Sequence, residues 1–209
     1  MEITAFPTVI NALNIRNAII TVDALNTQKE NCKLVKKKRG DYVFALKGNQ
    51  GNFYNDVQLY FTTEILKELE KNNHLHQIEK RGNETVVYDY YQTDDITWYH
   101  DYKSWKGLKT IGMVKKTIIK RDGTETSEIR YYISSLNVDI ELFSDCIRKH
   151  WSVENKLHWQ LDYTFKQDDN TTADKDALLG LQIIKKTALA LLNPIKEKRN
   201  MSMNKLRII

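Results

Sequence analysis

The chain has 209 residues, enough to bury a sizeable core in one large domain or two small ones. Hydrophobic residues make up 41% and charged residues 28%, which is ordinary for a folded soluble protein and argues against a disordered chain. Lys and Arg number 32 against 27 acids, a formal charge of +5 that fits nucleic-acid binding without requiring it.

Residues 3–13 read as a short amphipathic helix with Pro7 in its first turn. Residues 18–22 follow as a continuous β-branched run, apolar on both faces, which predicts a strand buried inside a sheet. It ends at Asp23. Residues 27–38 have helical composition and close at Gly40, a residue suited to a helix C-terminus. Residues 41–46 form a second buried-type strand, ended by Lys47-Gly48-Asn49-Gln50-Gly51. Strand, helix and strand over about thirty residues make a βαβ unit, so the two strands are expected to be parallel.

Residues 52–72 place Phe53, Val57, Tyr60, Phe61, Ile65, Leu66 and Leu69 near the helical period. After Gly82 the character changes: 85–92, 109–120 and 129–135 are rich in Val, Ile, Thr and Tyr, with Asp122-Gly123 as a hairpin turn. An antiparallel β-rich block, 82–135, therefore interrupts an α/β frame. Helices resume near Asp139, first through Phe165 and then over 174–192, and a basic tail over 196–207 is expected to fray.

Cys32 and Cys146 lack metal-ligand spacing and read as two buried thiols in a reducing compartment. The longest apolar candidate, 188–195, is broken by Asn193-Pro194 and falls short of a membrane span. Glu2 and Thr4 interrupt the apolar start, so no secretory signal is read there and a cytoplasmic location is expected.

Three places carry chemistry. Asp23 stands one residue past a strand, where ligands gather in open α/β sheets; the bland alternative is a helix cap. The turn after the second strand offers backbone amides and Asn49 to a phosphate, with Lys47 adding charge, although a plain turn looks the same. Residues 148–162 carry two tryptophans, two histidines, two acids and three bases on a helical segment. Each residue advances about 100°, so His150, Glu154, His158 and Asp162 line one stripe, beside Val153, Leu157 and Leu161. This helix has three readings. It is a His-Glu-His zinc site, a structural helix with surface pairs, or a scaffold that lends Glu154 to a Mg²⁺ site shared with Asp23.

Ile20-Thr21-Val22-Asp23-Ala24-Leu25, Asp41 to Gln50, Arg130-Tyr131-Tyr132-Ile133-Ser134-Ser135-Leu136 and the run from His150 to Phe165 occur in that order. Together they closely resemble bacterial insertion-sequence DDE transposases, specifically the subgroup that includes the H-repeat-associated proteins. The resemblance covers Met1 to about Leu192. It implies a ribonuclease-H-like core interrupted by the 82–135 insertion, with 1–209 as a single catalytic domain. It also implies an Asp-Asp-Glu triad holding Mg²⁺ or Mn²⁺, in which Asp23 matches the second Asp and Glu154 the Glu. Arg148, His150, Trp151, Asn155 and His158 would contact DNA or support Glu154, and the partners would be double-stranded transposon ends and a further transposase chain.

The family's first Asp lies in an Asp-Gly-Lys segment with no counterpart among these residues. The core is therefore expected to be truncated, with its first strands absent and the edge of the 18–22 strand open. A partial or inactive transposase is expected; the alternative is a non-catalytic DNA-binding or regulatory remnant.

Overall fold

The computed structural model describes residues 2–153, 161, 163, 171–172 and 174–199. Two compact units divide the chain, Met1–Arg148 and Lys149–Ile209.

In the first unit, the apolar runs of the sequence assemble into one mixed six-stranded sheet. Strand β1 (Ile19–Val22) pairs in parallel with β2 (Asp41–Leu46), as the βαβ pattern predicts. Strand β6 (Glu125–Ser134) pairs antiparallel with β2, then come β5 (Thr110–Lys120), β4 (Glu84–Thr93) and β3 (His74–Arg81). The β-rich block thus continues the sheet begun by β1 and β2 rather than forming a sheet of its own.

Helices cover both faces, which is why β2 is buried almost throughout. On one face, α1 (Glu2–Ala12), α2 (Lys29–Lys37), α3 (Asn52–Tyr60) and α4 (Thr63–Leu69) bring Ile10, Cys32, Val35, Phe53, Val57 and Leu69 onto Phe44, Ile133, Ile111 and Tyr91. On the other face lies α5 (Ile140–Val153), whose Phe143 meets Tyr132 edge-on at 5.8 Å. Gly112 of β5 makes that approach possible, because a β-carbon there would stand 2.2 Å from Phe143 Cζ. Buried Gln92 fixes the start of α5: its amide donates to Thr110 Oγ1 (3.1 Å) and its oxygen accepts from the Asp139 N–H (2.9 Å). In the second unit, α6 (Lys175–Arg199) is capped by Asp174, which accepts from the N–H groups of Asp176 and Ala177. Leu189 there forms a small apolar cluster with Leu161 and Leu192.

Several expectations are corrected. Strand β1 is only half-buried, since it lies at an edge of the described sheet with β2 as its one strand neighbour. Pro7 sits in the second turn of α1 rather than its first. Gly40 does not supply the left-handed residue that ends α2; Arg39 does, at φ 63°. Gly40 instead donates to Val35 O (3.1 Å) and leaves room for Ile15, whose Cδ1 a β-carbon would meet at 3.1 Å. The helical stretch over 52–72 is two helices, because the Thr62 hydroxyl caps a fresh N-terminus by accepting from the Ile65 N–H (3.4 Å). An additional strand, β3, begins at His74, ahead of the expected start at Gly82. Helix α6 continues past Asn193-Pro194 to Arg199, where a stop and a frayed tail are expected.

Candidate functional site

Parallel pairing of β1 and β2 sends both carboxyl ends the same way, so Asp23 and the Lys47-Gly48-Asn49-Gln50 turn become neighbours. Asp23 is exposed and precedes a 3₁₀ turn, Ala24–Asn26, without its side chain capping that turn. Nor does Asp23 cap α2, whose N-cap residue is Gln28. Helix capping therefore does not account for a carboxylate at this position.

The backbone beside Asp23 is held by a set of side-chain bonds. Asn49 Nδ2 donates to Ala24 O (2.8 Å), and Gln50 Nε2 donates to Ala24 O (2.9 Å) and Thr27 O (3.1 Å). Buried Thr27 donates from its hydroxyl to Ala45 O of β2 (2.6 Å), and Asn31 Nδ2 donates to Asn26 O (2.8 Å). The Lys47 N–H closes the turn on Gln50 Oε1 at 2.8 Å. Each bond is worth on the order of 1 kcal/mol net, so their joint effect is to fix one loop conformation rather than to dominate stability. Asn49, expected beside a phosphate, has its amide engaged in this bracing; Lys47 is exposed at the same end of the sheet.

Arg148 lies elsewhere. Its guanidinium pairs with Glu79 of β3 and stands 4.9 Å from the Tyr88 ring centroid of β4. Burial by itself would raise the Glu79 carboxyl, but hydrogen bonds from Arg148 and Arg81 hold it below its ordinary range. Strands β1 and β3 occupy opposite edges of the sheet. Five strand spacings of about 4.8 Å put them roughly 24 Å apart. The structure thus brings Asp23, Lys47 and Asn49 together and leaves Arg148 at the far edge.

His150 and Trp151 are partly buried in the last turn of α5, within the second unit. Glu154, Asn155 and His158 lie outside the described residues. Both cysteines are buried thiols outside any disulfide, as expected, and burial pushes the Cys32 thiol up to about 12. Among the described residues, no helix is long and apolar enough to cross a membrane. One group of ligand-type side chains escapes the sequence reading: His74, His76 and Asp89 at the β3–β4 edge. The signal was the His-x-His spacing, which on a strand places both rings on one face.

The family described as Transposase DDE domain matches residues 2–191. The chain is 38% identical over 178 residues to "Putative protein YbfL" of Escherichia coli K12, covering 80% of this chain and 45% of that protein. It is 37% identical, with the same coverage, to the "H repeat-associated putative transposase YhhI" of the same strain. Against the "Putative transposase YncI" of Escherichia coli O157:H7 it is 33% identical over 201 residues, 94% of this chain and 51% of that one. The chain thus spans about half the length of these relatives. No solved structure matches it.

Proposed function

Because this chain belongs to the DDE transposase family of insertion sequences, we propose that it serves DNA transposition, with Asp23 and Glu154 as two of three metal-binding carboxylates. The observation that carries this reading is Asp23 itself: an exposed carboxylate at the carboxyl end of β1, on a braced loop. A hard oxygen donor in that position fits Mg²⁺ or Mn²⁺. When bound, such a cation lowers the pKa of an attacking water or 3′-hydroxyl and offsets charge on the leaving oxygen.

The protein's own part is positional. Asn49, Gln50 and Thr27 hold the Asp23 loop against β2, so the backbone that carries the carboxylate is set before DNA arrives. Lys47 at the same sheet end supplies positive charge to the phosphate backbone. By family resemblance, His150, Trp151, Asn155 and His158 would contact DNA or support Glu154, and 1–209 acts as one catalytic domain of ribonuclease-H-like type with 82–135 inserted.

By the family resemblance, Asp23 and Glu154 match two of the three carboxylates. On this reading another segment or another transposase chain supplies the third, and the 209 residues by themselves are expected to bind transposon-end DNA without cutting it. Incubating the purified chain with labelled element ends and Mg²⁺ tests both halves. Retarded, uncut DNA, with affinity falling steeply as salt rises, is the expected result. Cleavage by the chain alone sinks the partial-site proposal. Absence of any binding at low salt removes the DNA reading.

A further inference from the structure

At the sheet edge opposite Asp23, β3 carries His74 and His76 two residues apart, and a strand turns such residues to one face. Asp89 of β4 is the cross-strand partner of His76. Its Oδ1 lies 3.0 Å from His74 Nε2 and 2.7 Å from His76 Nδ1. All three ligand atoms fall within 4.8 Å of one another.

We propose that His74, His76 and Asp89 form a binding site for a divalent transition-metal ion of the zinc class, separate from the transposase carboxylates. Two imidazoles and one carboxylate with an open fourth position are a recognised donor set for such an ion. Bond lengths of about 2.0–2.1 Å to a tetrahedral ion place its ligands roughly 3.4 Å apart. The two histidine–carboxylate pairs, at 3.0 and 2.7 Å, therefore need to spread by roughly half an ångström each. Burial is graded in a useful way: the His74 and Asp89 side chains are 18% and 20% exposed, while that of His76 is 49% exposed and leaves a route for the ion.

Without metal, one carboxylate oxygen serves both rings, each presenting an N–H to it. With metal, the same ring nitrogens become lone-pair donors, and each neutral ring carries its proton on its other nitrogen. The backing of the site is rigid on one side, where His74 stacks on Tyr91 with centroids 4.5 Å apart and planes 19° apart. Lys115 registers opposite Asp89 on β5 and is solvent-exposed, so water screens its repulsion of the ion. The site ties an otherwise open edge strand to its neighbour.

Titrating the metal-free full chain with Zn²⁺ by calorimetry tests the assignment, with Asp23→Asn as a parallel sample. One ion per chain is expected in both, with affinity lowered at least tenfold in His76→Ala and in Asp89→Asn. Unchanged binding in those two variants, or loss of binding in Asp23→Asn, overturns it. Because a β4 variant can fail to fold, the wild-type chain is also loaded with Co²⁺. Visible bands of a tetrahedral nitrogen–oxygen site, without a near-ultraviolet thiolate band, are expected; a thiolate band or no tetrahedral spectrum overturns the site.

Discussion

The Asn49 carboxamide donates a 2.8 Å hydrogen bond to the carbonyl oxygen of Ala24, the residue next to Asp23. The turn after β2 thereby clamps the turn after β1. The Gln50 amide and the Thr27 N–H converge on the same oxygen, at 2.9 and 3.2 Å, and Ala24 is buried. A buried carbonyl with three donors survives the loss of one and suffers from the loss of two.

Asn49→Ala is therefore expected to lower unfolding free energy by about 1 kcal/mol in urea melts, and Asn49→Ala with Gln50→Ala by more than the sum of the single changes. If Asn49 acted chiefly on phosphate, its removal would weaken DNA binding at constant stability. A DNA affinity that drops tenfold with an unchanged melt would therefore reverse the bracing role.

Gly112→Ala tests how α5 is seated. Its new methyl would press on the Phe143 ring at 2.2 to 2.9 Å, within a buried face where neither group has room to yield. Overpacking of this kind costs about 1–3 kcal/mol. Adding Phe143→Leu should recover part of the loss, giving a coupling energy in a double-mutant cycle that an unstrained site would not show.

Strand β2 is legible residue for residue in the sequence, because a run buried on both faces is apolar from Tyr42 to Leu46 and ends at Lys47-Gly48. Strand β3 is not, since an edge strand buries little and can hold His74, His76, Glu79, Lys80 and Arg81 without an apolar signature. At the candidate site, the placement of Asp23 past a strand follows from the pattern, whereas the bracing by Asn49 depends on which loops meet across two strands. The position of Arg148 is the clearest departure. Basic character suggests phosphate contact, yet an ion pair and a ring within one protein can absorb the same charge.

Asp41 gives stability a pH dependence with a definite sign. Burial would raise its carboxyl, but hydrogen bonds from Lys36 (2.5 Å) and Ser135 (2.7 Å) outweigh this and hold it below the ordinary carboxylate range. A folded-state pKa below the unfolded one binds fewer protons in the native state. The stabilisation is thus complete above the unfolded value of about 4 and fades as pH falls through the folded one. Denaturation midpoints of wild type and Asp41→Asn are expected to differ most near neutral pH and to converge below about pH 4. A gap that widens on acidification would contradict the assignment.

Arg148 is expected to matter more to the fold than to DNA. Its guanidinium pairs with Glu79 and lies over Tyr88, and the groove beside it is also lined by Glu141 and Asp145. Acidic neighbours disfavour a phosphate there, whereas the pair and the ring contact together contribute roughly 1–2 kcal/mol in a partly exposed setting. Arg148→Ala should lower stability by about that amount, and Arg148→Lys should restore less than half, because an ammonium neither stacks on the ring nor presents a planar fork. In DNA titrations across a salt series, each lost phosphate contact lowers the slope by about 0.9. The slope for Arg148→Ala is expected to match wild type, measured below the variant's melting temperature. A reduction of about one unit would instead place Arg148 on the DNA backbone and make its pairing with Glu79 a resting arrangement that DNA displaces.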